Sequence, residues 1–228
     1  MRVILLFTIF SLLSLGLSGQ SDSLNRVKYT PDFRFSNGIF LNFNQVKNNK
    51  AVPASRIHSN NDPYDMNFFK NLVEDKAITY FDSFGSKNEV NTSNIWGFAQ
   101  NGKLYINYNG EFNRIPIVGC IGHFIADITV YESYNDPYYS DYSSYYYNSY
   151  YNRPYNRPTR SKEMRQYIVN FETGQVLDYG RDEVKVLLME DPELFDEFSS
   201  LRKRKQKDLM FFFIRRYNEK HPLYFPVK

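Results

Sequence analysis

The chain has 228 residues, a formal net charge of +3 and a single cysteine, Cys120. Its length suits one domain or two small ones. So small a net charge gives no electrostatic footprint for nucleic acid, and one cysteine excludes an internal disulfide.

Aromatic residues are the compositional excess: 18% of the chain, with 20 Tyr and 20 Phe. Phe is spread through stretches that read as core, whereas Tyr is bunched. The N-terminus reads Met1-Arg2 and then runs apolar over residues 3–17, shorter than the roughly 20 residues a spanning helix needs. A positive start, a short apolar core and small residues at Ser18 and Gly19 predict a secretory signal peptide over residues 1–19. The mature protein is then exported, to the periplasm, the outer-membrane periphery or the medium. No cysteine follows the apolar run, which argues against a lipid anchor, and no later stretch is apolar enough to cross a membrane.

Residues 20–131 read as the β-rich part of one domain. Phe33 and Phe35 precede Asn37-Gly38, with Ile39, Leu41 and Phe43 after it, so the alternation predicts a hairpin there. Residues 44–53 read as an Asn/Lys-rich loop and residues 54–57 as a brief strand. Residues 66–73 read as two turns of helix with Phe69, Leu72 and Val73 inward. Ile78, Tyr80, Asp82 and Phe84 alternate as a strand, and residues 86–94 form a polar loop. Asn101-Gly102 and Asn109-Gly110 then separate three alternating segments. Both residue types tolerate the positive φ of a type I′ turn, so a three-stranded antiparallel meander follows. Trp96 and Tyr105 read either as an exposed aromatic platform or as a cross-strand pair. Residues 115–130 are apolar on both parities, which predicts a central strand covered on both faces, with Gly119 and Gly122 at a bulge or bend.

Over residues 131–158 the composition changes, with 11 of the 20 tyrosines and almost no aliphatic residues. Lacking apolar surface to offset its ordering entropy, this window predicts a disordered low-complexity insertion over residues 132–160. It interrupts a hairpin whose strands are residues 125–131 and 166–171. Residues 161–228 complete the domain: a return strand through Tyr167, Val169 and Phe171, a turn at Thr173-Gly174, a short strand at 176–179, then helices. Val184, Leu187 and Leu188 mark a short helix. Asp191-Pro192-Glu193 supplies an N-cap, a proline at the first helical position and an acid in the first turn. The apolar stripe after it predicts one long helix ending at Pro222, buried nearly all round at residues 209–214. The tail Leu223-Tyr224-Phe225-Pro226 reads as an extended segment packed back on the body.

Candidate chemistry is sparse. Cys120 and His123 stand three apart, which on a strand sends them to opposite faces, so they cannot pair locally as nucleophile and base. His58, Asp127 and His123 could form a dispersed hydrolase site only if the fold converged them. No metal-binding spacing, phosphate loop or nucleophile elbow is present, so no catalytic, cofactor or metal residue is assigned and no cofactor is implied. Residues 181–198 carry seven acids and two bases, and residues 201–220 eight bases and two acids. That polarity fits a helix complementing its own dipole, or a basic patch for an anionic surface. Tyrosine with arginine suits carbohydrate or protein surfaces. Tyr146, Tyr147, Tyr151, Arg153, Tyr155 and Arg157 are therefore the candidate contacts for an envelope protein or glycan.

Asn37-Gly38-Ile39-Phe40-Leu41-Asn42-Phe43, Ile95-Trp96-Gly97-Phe98 with Asn101-Gly102-Lys103-Leu104-Tyr105-Ile106, Asp191-Pro192-Glu193-Leu194, and residues 217–224 carry a resemblance. Together they resemble small exported proteins of Bacteroidota-type bacteria, a group of no known activity, so no site residue is carried over. The reading is an α+β domain: an antiparallel β-meander sheet with two C-terminal helices packed on it. Its role is that of a non-enzymatic exported envelope or surface protein acting in binding or assembly. The alternatives are an envelope hydrolase and an anionic-surface binder. Ligand, process and oligomeric state stay open.

Overall fold

The computed structural model describes residues 25–132 and 159–226. It is an α+β fold of antiparallel sheets and helices. The central meander has the order β2-β6-β7-β8: β2 (Gly38–Phe40), β6 (Gly97–Gln100), β7 (Lys103–Tyr108) and β8 (Glu111–Arg114). Its turns are what the Asn-Gly pairs predict, with φ of 54° and 71° at Asn101 and Gly102 and 54° and 83° at Asn109 and Gly110.

A second sheet, β11-β10-β9, lies against the meander. β9 (Ile121–Glu132) and β10 (Thr159–Asn170) pair along their full length, from Ile121↔Asn170 to Glu132↔Thr159, and β11 (Val176–Asp178) flanks β10. Period-two alternation divides the side chains cleanly. Phe40, Ala99, Leu104 and Ile106 of the meander meet Phe124, Ala126, Tyr167 and Val169 in one buried core. Ile121 and Ile168 point the other way, into a second core with Val184, Leu194, Phe198 and Phe213 of the C-terminal helices. The outer face of the meander, Ile39 and Phe98, packs on Phe68, Phe69 and Leu72 of a short helix, α2 (Phe68–Leu72), and on Ile78. Ile78 belongs to a third sheet, β3 (Ile57–His58), β4 (Ala77–Phe81) and β5 (Lys87–Asn91). Finally, β1 (Arg26–Lys28) pairs antiparallel with β12 (Tyr224–Pro226), so the tail does pack back on the body.

Several expectations are corrected. Asn37-Gly38 is not a hairpin turn: β2 pairs with β6 and bridges Ile39 to Val52, while Phe33 and Phe35 are taken up by a ring cluster with Tyr29 and Phe225. Gly38 is needed for close approach, since a Cβ there would lie 2.4 Å from the Val52 carbonyl oxygen. The stretch 44–53 contains a helical turn, α1 (Phe43–Lys47), capped by Asn42, and the polar stretch 86–94 contains β5. Trp96 does not pair with Tyr105. It meets Phe43 at 5.8 Å, and Tyr105 stacks on Phe98 at 4.6 Å. β9 begins at Ile121 rather than at residue 115, and β10, not β9, is the central strand of its sheet.

The long helix is broken. α3 (Arg181–Leu188) is followed by α4 (Pro192–Ser200) and α5 (Lys203–Lys220), with Leu201 extended between the last two. There are thus three C-terminal helices, not two. Gln206 Nε2 donates to the Phe198 carbonyl at 2.9 Å, satisfying an orphan group at the end of α4. The break folds α5 back so that Phe213 meets Phe198 edge-on at 5.0 Å. One straight helix could not lay both apolar stretches on the same sheet. Phe211 and Phe212 are left 40% and 50% exposed, against the expectation of all-round burial.

Candidate functional site

Residues 115–120 connect β8 to β9. Pro116 cannot donate to a ladder, and the chain loops so that His123 N–H donates to the Ile117 carbonyl at 3.0 Å. Ile115 is buried below this loop, whereas Ile117 is 39% exposed and faces outward. On one side α5 presents Phe211, Arg215, Asn218 and Glu219 at helical spacing. On the other the β1/β12 ribbon presents Lys28, Tyr29 and Leu223, tied together where Tyr29 N–H donates to the Leu223 carbonyl at 2.7 Å. These walls enclose a cavity of about 520 Å3.

A second cavity of about 390 Å3 abuts the first, sharing Tyr29, Pro31, Ile117 and Val118 with it. Its lining carries Arg34, Lys103 and Arg114 and no carboxylate. Arg34 reaches it by lying flat over the first Asn-Gly turn. A Cβ on Gly102 would come within 2.4 Å of Arg34 Cδ, so this glycine serves both the turn and the approach. Among the described residues none of these three cations makes an ion pair. Burial raises the Tyr29 phenol, with Arg34 pulling the other way, so the hydroxyl is a neutral donor beside the cations. The arrangement is a groove of two clefts of small-ligand size, one lined by three cations without an acid and the other by Lys28, Arg215 and Glu219 beside apolar side chains.

The residues that sequence reasoning singled out lie elsewhere. His123 is buried under α5, its ring between Tyr179 and Phe211 and its Nε2 3.0 Å from Gln166 Oε1. Burial lowers its pKa. His58 is exposed on β3 and Asp127 exposed on β9, so the structure does not bring His58, Asp127 and His123 together. Cys120 is buried, and burial pushes its thiol up to about 11. Tyr146, Tyr147, Tyr151, Arg153, Tyr155 and Arg157 lie outside the described residues, as do residues 1–19, where the sequence predicts a signal peptide. Among the described residues no three His, Cys, Asp or Glu side chains gather as a metal site, and no helix is long and apolar enough to cross a membrane.

One constellation escaped sequence reasoning. Asp191, the N-cap of α4, accepts from Leu194 N–H at 3.1 Å and from Lys220 Nζ at 3.1 Å, and lies 2.9 Å from His221 Nε2. Tyr217 hydroxyl donates to Glu190 beside it at 3.1 Å. The geometry resembles a His–Asp dyad, but the Tyr217 hydroxyl beside it is spent on Glu190 and held protonated by burial. It fastens the end of α5 to the start of α4. No local signal announces it, because the partners are about 30 residues apart. In comparisons with known proteins, no family model, no curated protein and no solved structure matches the chain.

Proposed function

We propose that the chain is an exported, non-enzymatic binding module of a bacterial envelope, of the small Bacteroidota-type kind its sequence resembles, and that the two-compartment groove holds its ligand. The observation that carries this reading is the convergence of Arg34, Lys103 and Arg114, none of them ion-paired among the described residues, on one concave lining that holds no carboxylate. Three exposed like charges gathered without an acid repel one another, an anionic ligand would relieve that repulsion, and concave sites with a few convergent polar groups are the usual form of a ligand site. The Tyr/Arg segment of residues 132–160 is a second contact in this reading.

The test places a photoreactive amino acid at Ile117 or Val118 of the protein in its own envelope, with Phe84, which is 92% exposed on the β4–β5 turn, as control. The reading predicts a discrete adduct from the groove positions only, lost when Arg114→Glu reverses a charge. The same products from all three positions would refute it.

A second reading has one observation in its favour. The break at Leu201 puts Arg202, Lys203, Arg204, Lys205 and Lys207 at the N-terminal end of α5, where the helix dipole disfavours cations. None of them is ion-paired among the described residues. An anionic surface would neutralise them. Co-sedimentation with anionic vesicles that falls steeply with salt supports that reading, and a flat salt response dismisses it.

A further inference from the structure

We propose that the groove takes an extended acidic segment of a partner protein, one that carries apolar side chains between its carboxylates. This rests on the reading of the groove as the ligand site and names the class of its ligand.

Charge is the first ground. The two clefts share Tyr29, Pro31, Ile117 and Val118, and so form one continuous lining. Along it stand Arg34, Lys103 and Arg114, then Lys28 and Arg215, against a single carboxylate, Glu219. All six are solvent-exposed, and none is ion-paired among the described residues. Exposed charges steer and orient a charged partner more than they hold it. Spread along an elongated groove, these suit a chain bearing several negative charges rather than a ligand with one charged head.

The apolar part of the lining is the second ground. Ile117 and Phe211 are 39% and 40% exposed, with Val118 and Leu223 beside them in the same cleft. A polyanion without hydrocarbon leaves those side chains in water, whereas a peptide can set an apolar residue between two acids.

The loop backbone is the third. Val118 and Gly119 line the groove, and neither N–H has a partner among the described residues. Their neighbours are already engaged: the Ile117 carbonyl accepts from His123 N–H, and Ile121 N–H donates to Asn218. An extended peptide brings a carbonyl acceptor at every residue and draws affinity from free main-chain donors of this kind. Val118 is half-buried and Gly119 buried, so a flat anionic bilayer would meet the exposed cations without reaching these donors.

The test presents the full mature chain to a displayed library of random dodecapeptides, then synthesises the most enriched sequence, end-capped and labelled, for titration by fluorescence anisotropy. The proposal predicts enriched sequences in which Asp or Glu is interspersed with apolar residues. Lys103→Glu and Arg114→Glu, both at exposed positions, should each weaken that peptide about tenfold or more. Placing the hydroxy-acid analogue of valine at Val118 turns its amide into an ester and deletes the N–H alone, which should weaken the peptide about threefold or more. Heparin oligosaccharide and phosphatidylglycerol vesicles are the competing classes. Enriched sequences without an acidic bias, indifference to both charge reversals, an ester that binds as tightly as the amide, or tighter binding of heparin or vesicles than of the peptide would overturn it. If the peptide fails while the photo-adduct at Ile117 still forms and is lost with Arg114→Glu, the ligand class is wrong and the binding module stands. If both fail, both go.

Discussion

Asn218 on α5 holds both backbone groups of Ile121 at the start of β9: its Oδ1 accepts from Ile121 N–H at 2.8 Å and its Nδ2 donates to the Ile121 carbonyl at 2.9 Å. The amide stands in for one residue of a neighbouring strand, pinning the helix that walls the groove to the sheet beneath it. Removing it leaves two backbone groups unpaired, so Asn218→Ala should cost about 2 kcal/mol. A Cβ on Gly119 would lie 2.5 Å from the same amide, so Gly119→Ala should destabilise by about 1–3 kcal/mol alone. It should cost far less in the Asn218→Ala background. Urea unfolding of the four-member cycle measures that coupling, and strict additivity would mean the two residues do not interact.

Lys220, with His221 and the Leu194 N–H adding to its effect and burial opposing it, holds the Asp191 carboxyl well below the usual carboxylate range. A carboxyl depressed in the folded state contributes stability above its unfolded pKa of about 3.9, and loses it as pH falls below that value. Asn can still cap α4, so Asp191→Asn isolates the charge. Its urea midpoint should lie below the wild type's at pH 6, and the gap should narrow at pH 3. A constant gap would place the effect in packing instead.

His123 works in a higher window. Burial lowers its folded-state pKa, with the Gln166 hydrogen bond pulling the other way. The unfolded chain therefore takes a proton near pH 6.5 where the folded one does not, and stability falls as pH drops through that value. His123→Phe, which keeps a ring against Phe211 and Tyr179, should show a smaller loss of stability between pH 7 and pH 5. An unchanged slope would assign the loss to other groups.

A thiol pushed up to about 11 by burial, with Glu172 and Glu190 adding to the shift, is protonated and shielded at neutral pH. Cys120 should react with a chromogenic disulfide only after denaturant is added. Rapid stoichiometric labelling of the native protein would contradict its place in the core.

Glu132 and Thr159 are paired neighbours at the mouth of the β9–β10 hairpin. Replacing residues 133–158 by Asn-Gly should leave the melting temperature equal or higher, since a shorter loop costs less closure entropy. The variant also separates the two contacts of the proposed function: the groove adduct should persist, and partners that depend on the Tyr/Arg segment should disappear.

Much of the fold was legible because its signals are local. Asn101-Gly102 and Asn109-Gly110 carry their own backbone preference, and Asp191-Pro192 caps a helix with adjacent residues. Asn37-Gly38 misled for the opposite reason. Its flanking phenylalanines are claimed by Tyr29 and Phe225, the latter from the far end of the chain, and Gly38 is there for Val52. The break after α4 hid because no glycine or proline marks it, and the carbonyls at the end of α4 are satisfied by Gln206 from the next helix. The groove left no trace in the sequence. Arg34, Lys103 and Arg114 are isolated charges in three segments, and Tyr29, Ile117, Phe211 and Leu223 each pass for ordinary core residues. Only the stacking of the meander on β9–β11 and the return of β12 to β1 bring them to one place.

The most direct test of the groove as the ligand site is the yield of the envelope photo-adduct from a photoreactive residue at Ile117, measured in the otherwise native protein and with Arg34→Glu, Lys103→Glu or Arg114→Glu added. The account predicts a discrete adduct that each charge reversal weakens several-fold, and no such adduct from Phe84 on the β4–β5 turn. A yield indifferent to all three reversals, or the same adduct from Phe84, would contradict it.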